Sequence, residues 1–177
     1  VIAKDYVTEN RMVLKYSVER NGKSVDSGWA LNEVTVERDG TTMVELFVQI
    51  DGRPLSRWGC DGLICSTPTG STAYAFSAGG PVLWPEIDAL VLLPISAHAL
   101  FSRPMVVSPQ SEIVVLVESS DAILSADAIR KFPLQLGDRV HIKKDSSIVK
   151  LAHTKGTIFT DRLVAKFKLP VEGWRGE

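Results

Sequence analysis

The most distinctive part of the sequence for chemistry is a run of glycine, hydroxyl and aromatic residues, DGLICSTPTGSTAY at positions 61–74. A strand is expected to end at Pro68, because the proline ring cannot donate a hydrogen bond to a β-ladder. A helix is then predicted to begin at Ser71 or Thr72, and the first four amide groups of a helix have no acceptor within it. The free amides at this helix start can therefore bind oxygen or ring-nitrogen atoms of a nucleotide, and Tyr74 offers a ring for stacking or ribose contact.

The small residues at this helix start support two interpretations. The hydroxyl groups of Thr69, Ser71 and Thr72, around Gly70, can add selectivity for a polar ligand. Serine and threonine before a helix more often cap it by accepting hydrogen bonds from its free amides. Ser71 lacks the G-x-S-x-G elbow of a serine nucleophile, and none of the three histidines is an evident base for it. The sequence leaves ligand binding and capping open and gives no catalytic residue.

A second unusual position is Asn32, which alternates with Val34 and Val36 on a predicted buried face. A buried amide must find hydrogen-bond partners. These are either backbone groups at a bulge or the edge of an adenine, whose paired donor and acceptor suit a carboxamide. Glu33 would point the other way on a regular strand, so Asn32 and Glu33 serve one ligand only at a strand end or bulge.

The elements that must position these residues are mainly strands, because polar and apolar residues alternate with a period of two over much of the chain. The turn signals Asn21-Gly22, Asp39-Gly40 and Asp51-Gly52 divide the first part into a predicted meander. Its strands are predicted at 11–20, 29–38, 43–50 and about 55–58. Further strands are predicted at 63–66, 89–95, 105–107, 112–118, 139–143 and 148–151. Two short helices are predicted, one ending near Gly79-Gly80 and one at 161–168.

Composition fits one domain with its own core. The chain has 177 residues, 45% hydrophobic and 23% charged, which is enough to form a core without disulfides. We predict a mainly β fold of two packed antiparallel sheets with one or two short helices.

Charge and cysteine content exclude several classes of protein. The net charge of -1 gives no positive excess for binding nucleic acid or an acidic membrane. No apolar stretch approaches twenty residues, so no membrane span is expected. Cys60 and Cys65 are the only cysteines and have no further ligand at zinc spacing, so no metal site is predicted. The chain is expected to be cytoplasmic, in a reducing compartment.

Several segments together closely resemble NAD kinase. They are Asn32-Glu33, Asp61-Gly62-Leu63, Ser66 to Tyr74, Ser77 to Pro81, and Arg103-Pro104. The tail, from Thr160 to Leu163 and from Gly173 to Gly176, is similar to the actinobacterial form. The resemblance covers residues 1–177 as the C-terminal β-rich domain of that family, which binds NAD and forms oligomers. The N-terminal α/β domain of the family, with its Gly-Gly-Asp-Gly motif and general-base aspartate, has no counterpart in this chain, so no catalytic residue is expected here.

The resemblance implies phosphorylation of the 2′-hydroxyl of the adenosine ribose of NAD to give NADP. The donor would be ATP or inorganic polyphosphate, and a divalent metal ion, Mg or Mn, would assist. The NAD-binding residues implied are Asn32, Glu33, Asp61, Thr72, Ala73, Tyr74 and Ser77. Among these, the pair at 32–33 would contact the adenosine half, the residues at 72–74 would contact adenine and ribose, and Asp61 would act across a subunit boundary. A homodimer or homotetramer is implied.

Two departures from the family pattern affect the assignment of the family's binding residues to this chain. The chain has Cys60 where the family usually has glycine, and Ala128 where the family usually has glycine after an aspartate. If that glycine has a positive φ, Ala128 strains the turn by about 1 kcal/mol. Asp127 and Ile129 are therefore left out of the predicted site.

Two other functions remain in consideration. One is a non-catalytic dinucleotide-binding or oligomerisation module. The other is a relative in the lipid-kinase branch, which would need a large apolar acceptor pocket. The residues present suit a nucleotide instead; they are Asn32, Glu33, Thr72 and Tyr74.

Overall fold

A computed structural model describes residues 6–156 and 158–171. Its twelve strands are β1 (Tyr6–Arg20), β2 (Lys23–Ala30), β3 (Glu33–Arg38), β4 (Val44–Ile50), β5 (Arg53–Cys60), β6 (Gly62–Ser66), β7 (Leu90–Ile95), β8 (Met105–Val107), β9 (Ile113–Val117), β10 (Ala122–Ala126), β11 (Arg130–Leu134) and β12 (Arg139–Thr154). A 3-10 turn at Gly70–Thr72 precedes the short helix α1 (Tyr74–Ser77), and α2 spans Phe159–Phe167. The sequence motif at 173–176 lies outside the described residues.

The strands form two six-stranded sheets, which confirms the predicted fold class. One sheet has the order β2-β1-β12-β9-β4-β5, and the other has the order β11-β10-β3-β6-β7-β8. We call them sheet A and sheet B. The registers that the structure gives are all antiparallel. The chain divides into two compact units, one of residues 11–149 and one formed by the residues up to Asn10 and from Lys150 onward.

The core of the larger unit joins the inner faces of both sheets. Buried Leu14 and Leu46 of sheet A share one cluster with Val34, Val36 and Leu63 of sheet B. The outer face of sheet B is also covered in part. Ile64, Val91 and Leu93 form a second buried cluster there with Ala75 of α1. Strand β6 is therefore buried on both faces, which explains its continuous apolar run.

The predicted meander is wrong in its middle part. The strand predicted at 29–38 is two strands, β2 and β3, which lie in different sheets and are separated by Leu31 and Asn32. The Asp39-Gly40 pair does not form a hairpin, because β3 and β4 also belong to different sheets. The backbone amide of Asp39 instead donates to the carbonyl of Asp121. A local turn signal cannot distinguish a hairpin from a connection between two sheets.

Other local predictions were correct. The pairs Asn21-Gly22 and Asp51-Gly52 form hairpins with positive φ at both residues, as the sequence indicated.

Strands β10 and β11 were missed. Pro133 argues against a strand, but β11 lies at the edge of sheet B, where proline is tolerated. The strands predicted at 139–143 and 148–151 are one strand, β12.

The turn between β10 and β11 confirms the strain expected at Ala128. Asp127 and Ala128 have φ values of 53° and 57°, in the left-handed region that disfavours a Cβ atom at Ala128. We expect Ala128→Gly to raise the free energy of unfolding by about 1 kcal/mol and Tm by about 2–4 °C. Thermal unfolding of the two proteins measures this. A Tm that is unchanged or lower would show that Ala128 is not strained.

Candidate functional site

Polar residues from three neighbouring strands meet at one end of sheet B. Strand β3 runs antiparallel to both β6 and β10, so its start lies beside the ends of the other two. Glu33 is paired with Ser66, and Val34 is paired with Ala126. The segments 31–33, 66–74 and 126–130, which are far apart in sequence, therefore converge.

The residues Leu31 and Asn32, here called the 31–32 bend, are held from one side by the carboxylate of Asp127. The amide of Asn32 donates to Oδ1 at 2.7 Å, and the amide of Leu31 donates to Oδ2 at 3.0 Å. The amide of Asp127 also donates to the carbonyl of Glu33 at 3.0 Å. The two hydrogen bonds from the Leu31 and Asn32 amides to the carboxylate are charge-assisted, and such bonds are stronger than neutral ones. The carboxylate therefore fixes the backbone of the bend.

The other side of the 31–32 bend is held by the end of β6. The Thr67 hydroxyl donates to the carbonyl of Leu31 at 2.6 Å, and the Thr67 amide donates to the carbonyl of Asn32 at 2.9 Å. The hydroxyl of Ser66 also donates to the Asn32 carbonyl at 3.2 Å. All four backbone polar groups of the bend are thus satisfied. In the described part of the chain, the half-buried Asn32 carboxamide has no hydrogen-bond partner and is available to a ligand.

Gly70 allows the two segments to approach this closely. A Cβ atom on Gly70 would lie 2.1 Å from the carbonyl oxygen of Asn32 and 2.6 Å from the hydroxyl oxygen of Ser66. Real Cβ atoms essentially never make contacts under 3.0 Å. Glycine is required here by space, since the Cβ position is already occupied by backbone and side-chain atoms.

The predicted helix start differs from the structure. A 3-10 turn and the four-residue α1 replace one continuous helix, and Ala73 between them has φ −106° and ψ −125°. The amide of Gly70 donates to the Thr67 hydroxyl, that of Ser71 to the carbonyl of Thr67, and that of Ala73 to the carbonyl of Gly70. The expectation that these amides are free donors is therefore wrong.

The side chains of this turn have different surroundings. Buried Ser71 donates its hydroxyl to the carbonyl of Pro68 and accepts the amide of Leu83, so it supports the loop. Thr69 makes no side-chain capping hydrogen bond. Thr69, Thr72 and Ala73 are half-buried. Their roles in ligand binding remain predictions.

The outer face of β3 is acidic and lies beneath Tyr74. Glu33, Thr35 and Glu37 alternate with the core residues of β3. The Tyr74 hydroxyl donates to Glu37 at 3.0 Å, and the hydroxyl of Thr35 donates to the other oxygen of Glu37. Burial and nearby Glu37 raise the pKa of Tyr74 to about 12, so its hydroxyl stays protonated at neutral pH. Tyr74 is 38% exposed, which leaves part of its ring open to a ligand.

Glu33 is the most unusual titratable group of this site. It is only 5% exposed, and its Oε2 atom has no hydrogen-bond partner among the described residues. Burial raises its pKa to about 7, the charge of Asp127 adds to the rise, and a hydrogen bond from the Tyr74 amide opposes it. A buried carboxylate oxygen without a donor is costly, so this atom is a candidate for contact with a ligand.

Asp61 and Ser77 do not lie beside Asn32. Asp61 lies beside Arg38 at the opposite end of β3, about 20 Å from Asn32 along an extended strand. It forms an ion pair with Arg38 at 2.8 Å. Ser77 is exposed at the end of α1. Within this chain, the structure groups Asn32, Glu33 and Tyr74, and the charge of Asp61 acts on the Tyr74 hydroxyl from the opposite end of β3, where it helps to raise the pKa of Tyr74.

Asp127 is the residue of this site that the sequence analysis missed. Its carboxylate holds the 31–32 bend, whereas Ile129 is exposed and makes no comparable contact. The signal was position 128, where the family usually has a glycine after the aspartate and where a positive φ would indicate a turn. The hairpin itself was not predicted, so its position beside Asn32 could not be inferred.

The described residues contain no group of three or more His, Cys, Asp or Glu side chains placed to hold a metal ion. The divalent metal implied by the resemblance thus has no ligand set in this part of the chain. Neither described helix is long and apolar enough to cross a membrane.

Comparison with protein families identifies a match over most of the chain. The family described as "ATP-NAD kinase C-terminal domain" matches residues 31–154. A NAD kinase from Thermobifida fusca is 50% identical over 183 residues, which cover 99% of this chain and 56% of that protein. A NAD kinase from Mycobacterium tuberculosis is 49% identical over 180 residues, which cover 100% of this chain and 59% of that protein. The chain thus spans somewhat more than half the length of these relatives.

Solved structures agree with the sequence comparison. The yeast NADH kinase complexed with NADH superposes with a TM-score of 0.89 and 26% identity, covering 96% of this chain and 51% of that one. A NAD kinase from Archaeoglobus fulgidus in complex with ATP superposes with a TM-score of 0.69 and 30% identity, covering 84% of this chain and 56% of that one.

Proposed function

The chain belongs to the ATP-NAD kinase family, as its C-terminal domain, and we propose that it binds the adenosine half of NAD for phosphorylation of the ribose 2′-hydroxyl. The enzyme would use ATP or inorganic polyphosphate as donor and produce NADP. Its general base and any metal ligands would come from a further domain, since longer relatives carry residues beyond the span matched here. The contribution of this domain is to hold the acceptor in place.

The observation that carries this proposal is the pair of unused polar groups at one end of sheet B. The Asn32 carboxamide is without a partner while its backbone is held on both sides. It offers a donor and an acceptor, which match an adenine edge. The buried Oε2 of Glu33 needs a donor, which a ribose hydroxyl or the adenine amino group supplies. The exposed part of the Tyr74 ring provides a stacking surface.

The charge of this surface also indicates which part of the dinucleotide it contacts. Glu37, Asp61 and Glu33 place negative charge near the Tyr74 hydroxyl, since all three raise its pKa, and Asp127 lies near Glu33. Carboxylates accept hydrogen bonds from hydroxyl and amino groups and repel phosphate. The pyrophosphate of NAD is therefore expected to lie away from them. Thr72, Ala73 and Ser77 complete the proposed contacts, and Asp61 contacts NAD from a neighbouring subunit.

Replacing Asn32 by alanine tests this function. In an enzyme of full family length carrying this domain, Asn32→Ala should raise the KM for NAD about tenfold to a hundredfold, because a buried hydrogen bond is worth about 1–3 kcal/mol. The KM for ATP and Tm should change little, since no hydrogen bond of this side chain within the described fold would be broken by the substitution. Thr72→Ala should have a smaller effect in the same direction.

The matched control is Asn10→Ala, which removes the same group from an exposed position. An Asn32→Ala variant with a lower Tm and an unchanged KM for NAD would show that the residue only supports the fold. NAD binding without NADP formation by the full-length protein would instead favour a non-catalytic dinucleotide-binding module.

We also propose that the protein forms a homodimer or homotetramer in the cytoplasm. Three large apolar residues are more than half exposed: Val106 in the edge strand β8 of sheet B, and Leu100 and Phe101 in the segment that precedes this strand. Burying such residues against a second copy would remove them from water. Sedimentation at micromolar concentration should show dimers or larger species, and a monomer at all concentrations would contradict this assembly.

A further inference from the structure

We propose that Arg130, placed on the ring of Trp29, is a positioning residue for NAD binding that acts through Asp127 on the 31–32 bend. The inference rests on the proposed function, because it concerns how Asn32 is oriented toward the ligand. None of the three residues of this chain, Trp29, Asp127 and Arg130, was among those predicted to bind NAD.

The first step concerns the hydrogen bonds that the Asp127 carboxylate accepts. Oδ2 accepts hydrogen bonds from both the Leu31 amide at 3.0 Å and the Arg130 guanidinium at 2.7 Å, while Oδ1 accepts from Asn32. The side chain of Asp127 is only 12% exposed and lies near Glu33, another acidic group. A carboxylate in this position requires a paired cation, and Arg130 supplies it.

The second step is the orientation of Arg130. Its guanidinium lies 4.5 Å from the centroid of the Trp29 ring, within the range of a cation–π interaction. A planar guanidinium can stack on the ring and donate to the carboxylate in one geometry, which lysine cannot reproduce. Trp29 therefore sets the plane of Arg130, and Arg130 sets the position of the Asp127 oxygen atoms.

The third step is the position of this network in the fold. Trp29 is near the end of β2, at the edge of sheet A, and Arg130 begins β11, at the edge of sheet B. The 31–32 bend links β2 to β3. The stacked side chains of Trp29 and Arg130 therefore stabilise this link at the point where the chain leaves sheet A. The Asn32 side chain has no described partner of its own. Its direction therefore depends on the backbone that Asp127 holds, and small displacements of a binding group weaken a ligand contact.

The test compares substitutions of Arg130 with a matched arginine elsewhere. Arg57 makes the same two kinds of contact on sheet A, stacking 4.1 Å from the Phe47 ring centroid and pairing with Glu118 at 3.0 Å. In an enzyme of full family length carrying this domain, Arg130→Met should raise the KM for NAD about tenfold, while kcat and the KM for ATP stay near the original values. Arg57→Met should leave all three parameters unchanged.

Conservative variants separate positioning from folding. Arg130→Lys keeps the charge without the planar fork, so it should fold and still raise the KM for NAD several-fold. Trp29→Phe keeps an aromatic ring and should restore most of the affinity that Trp29→Ala loses. If Arg130→Met does not fold, the Arg130→Lys and Trp29 variants decide the question. Unchanged KM values for NAD in folded Arg130 variants would overturn the inference.

A double substitution tests whether Arg130 acts through Asn32. Once Asn32→Ala has removed the group being positioned, adding Arg130→Lys should raise the KM for NAD by less than twofold. Fully additive effects of the two substitutions would overturn the inference, because independent sites add and coupled sites do not. An unchanged KM for NAD in Asn32→Ala alone would overturn the proposed binding site. A raised KM in Asn32→Ala with no effect of Arg130→Lys would reject only the role of Arg130.

Discussion

Replacing Gly70 by alanine is expected to lower the free energy of unfolding by about 3 kcal/mol or more, with a fall in Tm of about 6–12 °C. The new Cβ would lie 2.1 Å from the carbonyl oxygen of Asn32 and 2.5 Å from its carbonyl carbon. These are backbone atoms of a bend held by Asp127 and Thr67, so they cannot move without breaking hydrogen bonds. Overpacking against a fixed backbone is more costly than overpacking against flexible side chains.

The same substitution should weaken NAD binding at least tenfold, because the 31–32 bend must shift to admit the methyl group. Gly59→Ala is the matched control, since the nearest atom to its new Cβ is the end of the Met43 side chain at 3.8 Å. Thermal unfolding and NAD titration of both variants measure the two effects. A Gly70→Ala protein as stable as the Gly59→Ala protein would refute the close approach of the two segments.

Replacing Glu33 by glutamine should stabilise the fold at neutral pH and weaken NAD binding. Because burial raises the pKa of Glu33 to about 7 in the folded state, ionising it above that pH costs free energy that the unfolded chain does not spend. We expect Glu33→Gln to gain about 2–3 kcal/mol at pH 8, somewhat less than a rise of the pKa to about 7 implies, because the buried amide also needs partners. The KM for NAD should rise about tenfold through loss of a charge-assisted hydrogen bond.

The pH dependence gives this prediction a definite sign. Below about pH 4.5, Glu33 is protonated in both states, so it adds no cost and the two proteins should have similar stability. As the pH rises from about 4.5 to 7, the unfolded chain releases the proton first, and the stability of the unsubstituted protein falls relative to Glu33→Gln. Denaturant unfolding from pH 4 to 8 measures the difference, and the exposed Glu45→Gln is the control. A gap independent of pH would contradict the raised pKa.

The opposite directions of the two effects are informative. A residue retained only for the fold would not carry a buried oxygen without a donor, because a neutral side chain would be more stable there. Opposite effects of Glu33→Gln on stability and on NAD binding would therefore distinguish a binding residue from one that only supports the fold.

The sequence by itself determined the fold class, the family resemblance and the residue types of the site. Alternation with a period of two is a local property, and it indicated most strands and the hairpins at Asn21-Gly22 and Asp51-Gly52 correctly. Asn32 could be selected because a carboxamide is unusual on a predicted buried face, while Glu33 and Gly70 belong to the segments that resemble NAD kinase. The sequence indicated that Asn32 and Glu33 can contact one ligand only at a strand end or a bulge. The structure places Glu33 at the start of β3 and Asn32 directly before it.

The tertiary structure decided which of these residues meet and which groups are free. Sheet assignment depends on long-range pairing, so the sequence could not show that Asp39-Gly40 joins two sheets or that the β10–β11 hairpin exists. That hairpin brings Asp127 to the amides of Leu31 and Asn32, about 95 residues earlier in the chain. The amides of Gly70, Ser71 and Ala73, which were expected to be free, already donate hydrogen bonds within the chain, because a backbone donor pairs with an acceptor that folding places near it. The local sequence pattern determines which residues can bind a ligand. The antiparallel order of β10, β3 and β6 determines where the unused hydrogen-bonding groups of these residues lie.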